Sequence, residues 1–314
     1  MMNRLSLLYG RIPAKPFVSG YLVLYALTLW VLARYAGFAP GDALGVFATL
    51  GVAFTFLAWV ATRGQYAKTP WIDRPGVEMG AVLAYLLLFA FGVLGYGFTW
   101  LKLTFTDPRA HDVAVMVAKL ITMVLIPALL LRSLGHPLHE TLKPNFRWRH
   151  HGPVLLGLGA LMLLFQAFGG QGLQRLTALH ASTGMTLWAL PLCFLYLCID
   201  TGLTEEYLFR VVLQTRLAAW LKSETAGVVV MALLFGLAHA PGYYLRGAFA
   251  ADGMSTGQTL LLSVGYTVVI TSVVGFMFGM LWVRTRSLAL LVVLHALTDL
   301  IPNLSDFMQT WGMS

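Results

Sequence analysis

The sequence predicts an all-α polytopic membrane protein, a bundle of about 8–10 transmembrane helices. Three observations carry this. Apolar residues fill 58% of the 314 positions and charged residues only 11%, against about 45–50% and about 25% in soluble globular domains. Mean hydropathy is +0.76. The apolar residues also fall in long runs that recur to the end of the chain. In hydrocarbon each segment must satisfy its own backbone polar groups, and runs of this length do so as helices rather than as a barrel. The same composition excludes a soluble enzyme, a nucleic-acid binder and a secreted disulfide scaffold.

In order, helices are expected near 17–36, 42–62, 78–100, 113–132, 153–169, 185–201, 203–221, 225–240, 258–283 and 287–302. The run from Phe17 to Ala36 is long enough to stay in the bilayer. Arg4, Arg11 and Lys15 precede it, without the short apolar run and small-residue site of a cleavable signal. Between 185–201 and 203–221, Asp200-Thr201-Gly202 reads as a helix break, with Thr204 starting the next helix. The segment 132–152 is the largest polar connection. It joins Arg132, Lys143, Arg147 and Arg149 to His136, His139, His150 and His151. Its histidines lack helical metal-ligand spacing, and Pro137, Pro144 and Pro153 interrupt it, so a solvated basic loop is expected. Small residues at Gly41 and Gly45, Gly80 and Ala84, and Gly275 and Gly279 predict close helix approach. Cys193 and Cys198, five apart in one run, read as packing residues.

The net charge of +8 fits loops that face anionic lipid, not a nucleic-acid partner. Lysine and arginine lean slightly toward the side on which the chain begins, which is therefore read as cytoplasmic.

Ionisable residues inside apolar helices are the informative ones. Each costs about 2.5–3.5 kcal/mol at the bilayer centre on insertion scales, so they must meet one another or water. Glu205, Glu206, Arg210, His239, His295 and Asp299 form three such clusters. Glu206 and Arg210 sit at i, i+4 and can pair. Glu205 is rotated by about 100° from Glu206 and stays available. That divides one acid as positioner from its neighbour as general base; two solvated acids at an interfacial helix start fit the pattern equally. His239 ends an apolar run before Pro241, a position that also suits a structural histidine. His295 and Asp299 share a face at i, i+4, either as a packing pair or as groups holding water or an intermediate. With ten helices, all three clusters are expected in the half of the membrane where the chain begins. Together they read as an acid–base site in an intramembrane catalytic cavity.

The residues Glu205-Glu206…Arg210, Phe235…His239 and His295…Asp299 resemble the EExxxR, FxxxH and HxxxN or HxxxD motifs of the CPBP family of intramembrane proteases. That family includes type II CAAX prenyl endopeptidases and bacterial proteins linked to bacteriocin self-immunity. The resemblance covers about residues 184–303. It implies a division into N-terminal helices of unassigned role, 1–183, and a core with the catalytic motifs, 184–314, in one integral membrane unit. It also implies the roles: Glu205 activates water, His239 shares that water, Glu206 and Arg210 support the site, and His295 with residue 299 stabilises the oxyanion. An ionised Asp299 cannot donate to an oxyanion as asparagine does. It is therefore protonated, or it orients His295, or it binds metal.

The reading that follows is an intramembrane endopeptidase. Its substrate is a membrane-associated or lipidated protein or peptide, hydrolysed by water that glutamate and histidine activate. No cofactor is expected; the alternative is a zinc ion on Glu205, His239 and His295. A non-proteolytic scaffold or bacteriocin-immunity protein on the same fold is the second reading, and a proton-coupled transporter the third. The expected partners are membrane lipid and the substrate. The expected location is a bacterial inner membrane, crossed many times.

Overall fold

Proline, aspartate, serine and threonine set where the helices begin. The computed structural model describes residues 13–313 apart from 66, 68, 69, 71, 170, 171, 180 and 247–258. Among the described residues nine helices are long and apolar enough to cross a membrane, and there is no strand. They are α1 (Lys15–Tyr35), α2 (Pro40–Ala61), α3 (Pro75–Thr104), α4 (Pro108–Ser133), α5 (Trp148–Phe168), α6 (Thr183–Trp220), α7 (Glu224–Leu245), α8 (Leu260–Thr285) and α9 (Leu288–Thr310). Pro40, Pro75 and Pro108 open α2, α3 and α4, where a missing N–H goes unnoticed. The Asp107 side chain accepts from Ala110 N at 2.9 Å. Ser182, Thr259 and Ser287 cap α6, α8 and α9 in the same way. Arg4 and Arg11 of the sequence reading lie outside the described residues.

The largest departure from expectation is α6. The two helices expected at 185–201 and 203–221 are one helix, Thr183–Trp220. Asp200-Thr201-Gly202 does not break it. The chain there widens into π-helical turns over Cys198–Leu203 and again over Glu206–Gln214, a distortion that often marks functional sites. Thr204 does not start a helix either; its hydroxyl donates back to the Asp200 carbonyl. Gly202 serves close approach, because a Cβ there would sit 2.7 Å from the Val292 carbonyl oxygen of α9. Residues that read as loop-forming in isolation are held helical by their neighbours.

One crossing fewer reverses the direction of every later helix. Helices α1, α3, α5, α7 and α9 start on the face where α1 starts, here the first face; the others start on the second. Contacts between helix ends agree. Ala67 N donates to Arg284 O at 3.2 Å and Asn145 Nδ2 to Arg286 O at 3.1 Å on the first face. Arg109 Nε donates to Thr310 O at 3.0 Å on the second.

Buried residues of α3, α6, α7, α8 and α9, among them Leu86, Phe209, Met231, Phe278 and Leu294, share one apolar core. Gly275 and Gly279 let α8 reach Ala232 and Val228 of α7, as their spacing predicts. Gly41, Gly45 and Gly80 have open space where a Cβ would stand, so their spacing marks no contact. Cys193 is buried, Cys198 half-buried, and both are free. In the basic segment Arg132, Lys143, Arg147, Arg149, His139 and His150 are exposed, as in the solvated loop expected, while two histidines are held. His151 is buried and its Nδ1 accepts from Arg147 N at 3.0 Å. His136 Nε2 lies 2.9 Å from Glu78 Oε2. Glu78 also takes a hydrogen bond from Arg216 Nε at 3.2 Å, tying α3 to α6.

Candidate active site

The π-helical turns of α6 put Glu205 and Glu206 in different surroundings. Glu206 is fully buried. One of its oxygens accepts from Arg210 Nε at 3.0 Å, and the other lies 2.7 Å from His295 Nδ1. Arg210 is equally buried. Its guanidinium lies over the rings of Phe235, at 5.3 Å, and Phe278, at 5.9 Å. Its Nη1 faces the Met231 sulfur at 2.7 Å. These contacts hold the guanidinium in an apolar shell, where the charge of Glu206 is its counterion.

Glu205 points elsewhere. It lines a cavity of about 530 Å³ together with His239, Lys119, His111, Lys102 and Phe98. His239 sits on α7 with Nδ1 2.7 Å from the Phe235 carbonyl oxygen. A carbonyl only accepts, so Nδ1 carries the proton and Nε2 is the nitrogen left for the cavity. Gly236 lets α7 lie against α8, since a Cβ there would collide with the Thr267 carbonyl and with Ser272.

His295 on α9 joins the two parts. With Nδ1 committed to Glu206, its Nε2 lies 3.8 Å from Glu205 Oε2 and 3.6 Å from Asp299 Oδ2. The ring stacks on Phe278, with centroids 5.0 Å apart. Asp299 keeps some access to solvent, its side chain 28% exposed. Of the six residues singled out in the sequence, Glu205, Glu206, Arg210, His295 and Asp299 thus form one chain of contacts. His239 shares the cavity with Glu205.

Their depth differs from the sequence reading. Glu205 stands fifteen residues before the first-face end of α6, and His239 fifteen residues after the first-face start of α7. At a rise of about 1.5 Å per residue both lie about 22 Å from that face, while His295 stands seven residues after the first-face start of α9. The cavity runs from them toward Lys102 and His111, at the α3 and α4 ends on the second face. Toward the first face the whole stretch Glu206–Gln214 is buried. The clusters do converge, and the residues lining their cavity extend toward the second face.

Two further residues belong to this environment. Lys119 of α4 places Nζ 2.6 Å from Asp200 Oδ2 of α6 and lines the cavity beside Glu205. The sequence signal for Lys119 is a lysine in the middle of an apolar helix; its partner, Asp200, reads in the sequence as part of a helix break.

A metal on Glu205, His239 and His295 would need three donors around one point. Among the described residues no three His, Cys, Asp or Glu side chains gather closely enough to hold an ion. The donors do not enclose a metal as they stand.

Fold and site define a polytopic helical membrane protein with a buried carboxylate–histidine cluster beside a cavity. Residues 186–301 match the family model described as Rce1-like, type II CAAX prenyl endopeptidase Rce1-like. The match bears out the CPBP resemblance and contains all six motif residues. At family level it supports a CAAX-type intramembrane protease, an enzyme of the multi-pass membrane class. No curated protein and no solved structure matches the chain.

Proposed function

We propose that the protein is an intramembrane endopeptidase that cleaves a membrane-associated or lipidated protein or peptide with water activated by Glu205. The observation that carries this reading is the split between adjacent acids: Glu205 lines the cavity with His239, while Glu206 is buried against Arg210 and His295.

Water held between the Glu205 carboxylate and His239 Nε2 loses a proton to Glu205 as its oxygen bonds to the scissile carbonyl carbon. The carbonyl π electrons move to oxygen. His295, carrying both protons, donates Nδ1–H to Glu206 and turns Nε2–H toward the developing oxyanion, and Asp299 lies beside it. As the tetrahedral centre collapses, the C–N bond breaks and the amine leaves with the proton taken up by Glu205. Glu206 and Arg210 hold His295 in register and do not touch the substrate.

The test compares Glu205→Gln and His239→Ala with the wild type in membranes of the native host, by quantitative proteomics of membrane peptides. The same uncut protein should accumulate in both variants. If both are folded and present at wild-type level and no peptide changes, the protease reading fails and a non-catalytic scaffold takes its place.

A further inference from the structure

We infer that the cavity opens on the non-cytoplasmic face of the membrane, so that its substrate is a peptide segment exported or displayed outside the cytoplasm. The part about substrate rests on the protease reading; the part about the face does not.

The argument starts from the single helix α6. Because it crosses once, the α6–α7 and α8–α9 turns lie on the first face, with Lys222, Arg284 and Arg286. They join Arg63, Arg74, Arg132, Lys143, Arg147 and Arg149 in the α2–α3 and α4–α5 connections and the helix ends beside them. Among the described residues the second face holds only Arg34, Lys102, Arg109, Arg175 and Arg246 at helix ends or short connections. With ten helices this difference was slight; with nine it is large. Short connections rich in lysine and arginine stay cytoplasmic, and acidic residues count little in that rule. The first face is therefore the cytoplasmic one.

The cavity has the opposite polarity. Glu205 and His239 are its deep end, and Lys102 and His111 line it at the second face. On the cytoplasmic side lies the buried run Glu206–Gln214, backed by the Glu78–Arg216 pair. Water and an extended peptide thus reach Glu205 from outside.

The test is cysteine accessibility. In a background with Cys193→Ala and Cys198→Ala, single cysteines replace Thr106 in the α3–α4 turn, His111 in the cavity wall and Arg149 on the first face. Each is treated with a membrane-impermeant maleimide in right-side-out and inverted vesicles from a bacterial expression host, with detergent-solubilised protein as the full-labelling reference. Thr106→Cys and His111→Cys should label in right-side-out vesicles, and Arg149→Cys only in inverted ones. The reverse pattern overturns the orientation. Labelling of Thr106→Cys but not of His111→Cys from outside overturns the opening. None of this needs turnover, and the same labelling in a Glu205→Gln background separates the two readings. If labelling follows the expected pattern and no substrate accumulates, protease activity fails and the orientation stands.

Discussion

His295 Nδ1 lies 2.7 Å from Glu206 Oε1, and the opposite oxygen of that carboxylate accepts from Arg210 at 3.0 Å. One fully buried acid thus binds the third motif to the first across α6 and α9. Breaking such a pair from one side leaves a charge stranded in an apolar shell. Glu206→Gln is expected to lower stability by about 3–5 kcal/mol. Glu205→Gln, at the cavity wall with a side chain 16% exposed, should abolish cleavage with a loss of stability several times smaller. Thermal unfolding of both purified variants in one detergent, set beside their cleavage rates, checks the contrast. Equal destabilisation would remove the division of labour.

The close approach of α6 and α9 predicts a geometric effect. Gly202→Ala puts a methyl group 2.7 Å from the Val292 carbonyl oxygen, and backbone cannot swing aside as a side chain can. The helices must separate next to Glu205, Glu206 and His295. Overpacking of this kind costs about 1–3 kcal/mol, and activity should fall further than stability because the chemistry depends on that spacing. Gly80→Ala, where nothing lies within 4 Å, is the control and should be neutral in both assays.

How much of this was legible in the sequence follows from the kind of interaction. Glu205, Glu206, Arg210, His239, His295 and Asp299 stand out because an ionisable side chain in an apolar run needs a reason to be there. The i, i+4 pair of Glu206 and Arg210 could be read directly. The link from Glu206 to His295 spans 89 positions, so sequence placed the two in one site but not in contact. Asp200-Thr201-Gly202 misled because its composition is that of a turn. Lys119 from α4 and the Val292 backbone from α9 keep it helical, and both lie far away in the chain. Reading that one segment as a break also reversed the direction of every later helix. The Glu78–Arg216–His136 group escaped notice because its members come from three separate segments.

The Lys119–Asp200 pair offers a test of coupling across α4 and α6. At 2.6 Å and largely buried, each charge compensates the other's desolvation. Lys119→Met and Asp200→Asn should each destabilise strongly, while the double variant should be closer to wild type than the sum of the two. An interaction energy of about 0.5–3 kcal/mol is expected from a thermodynamic cycle. Strict additivity would mean that the pair does not couple.

The donor geometry predicts that chelation leaves activity intact. Protein purified without added metal should contain zinc well below one ion per chain, and a membrane-permeant chelator should not slow cleavage. Stoichiometric zinc that His239→Ala removes, together with loss of activity on chelation and recovery on adding zinc, would replace water activation by Glu205 alone with a metal-assisted route.

Asp299 is where the motif departs from asparagine, and its role can be separated from that of a plain carboxylate. It faces His295 Nε2 at 3.6 Å, on the side where the oxyanion forms in the proposed reaction. If the side chain serves as a hydrogen-bond donor, Asp299→Asn keeps a donor of the same size in the same place, so cleavage should stay within a few-fold of wild type. Asp299→Ala removes the donor and should cost about 10²–10³ in turnover, the usual effect of losing one oxyanion contact. If the carboxylate instead orients His295 by its charge, asparagine and alanine should be equally damaging. Turnover measured separately from substrate affinity decides between them, since a transition-state contact lowers kcat while KM stays nearly constant.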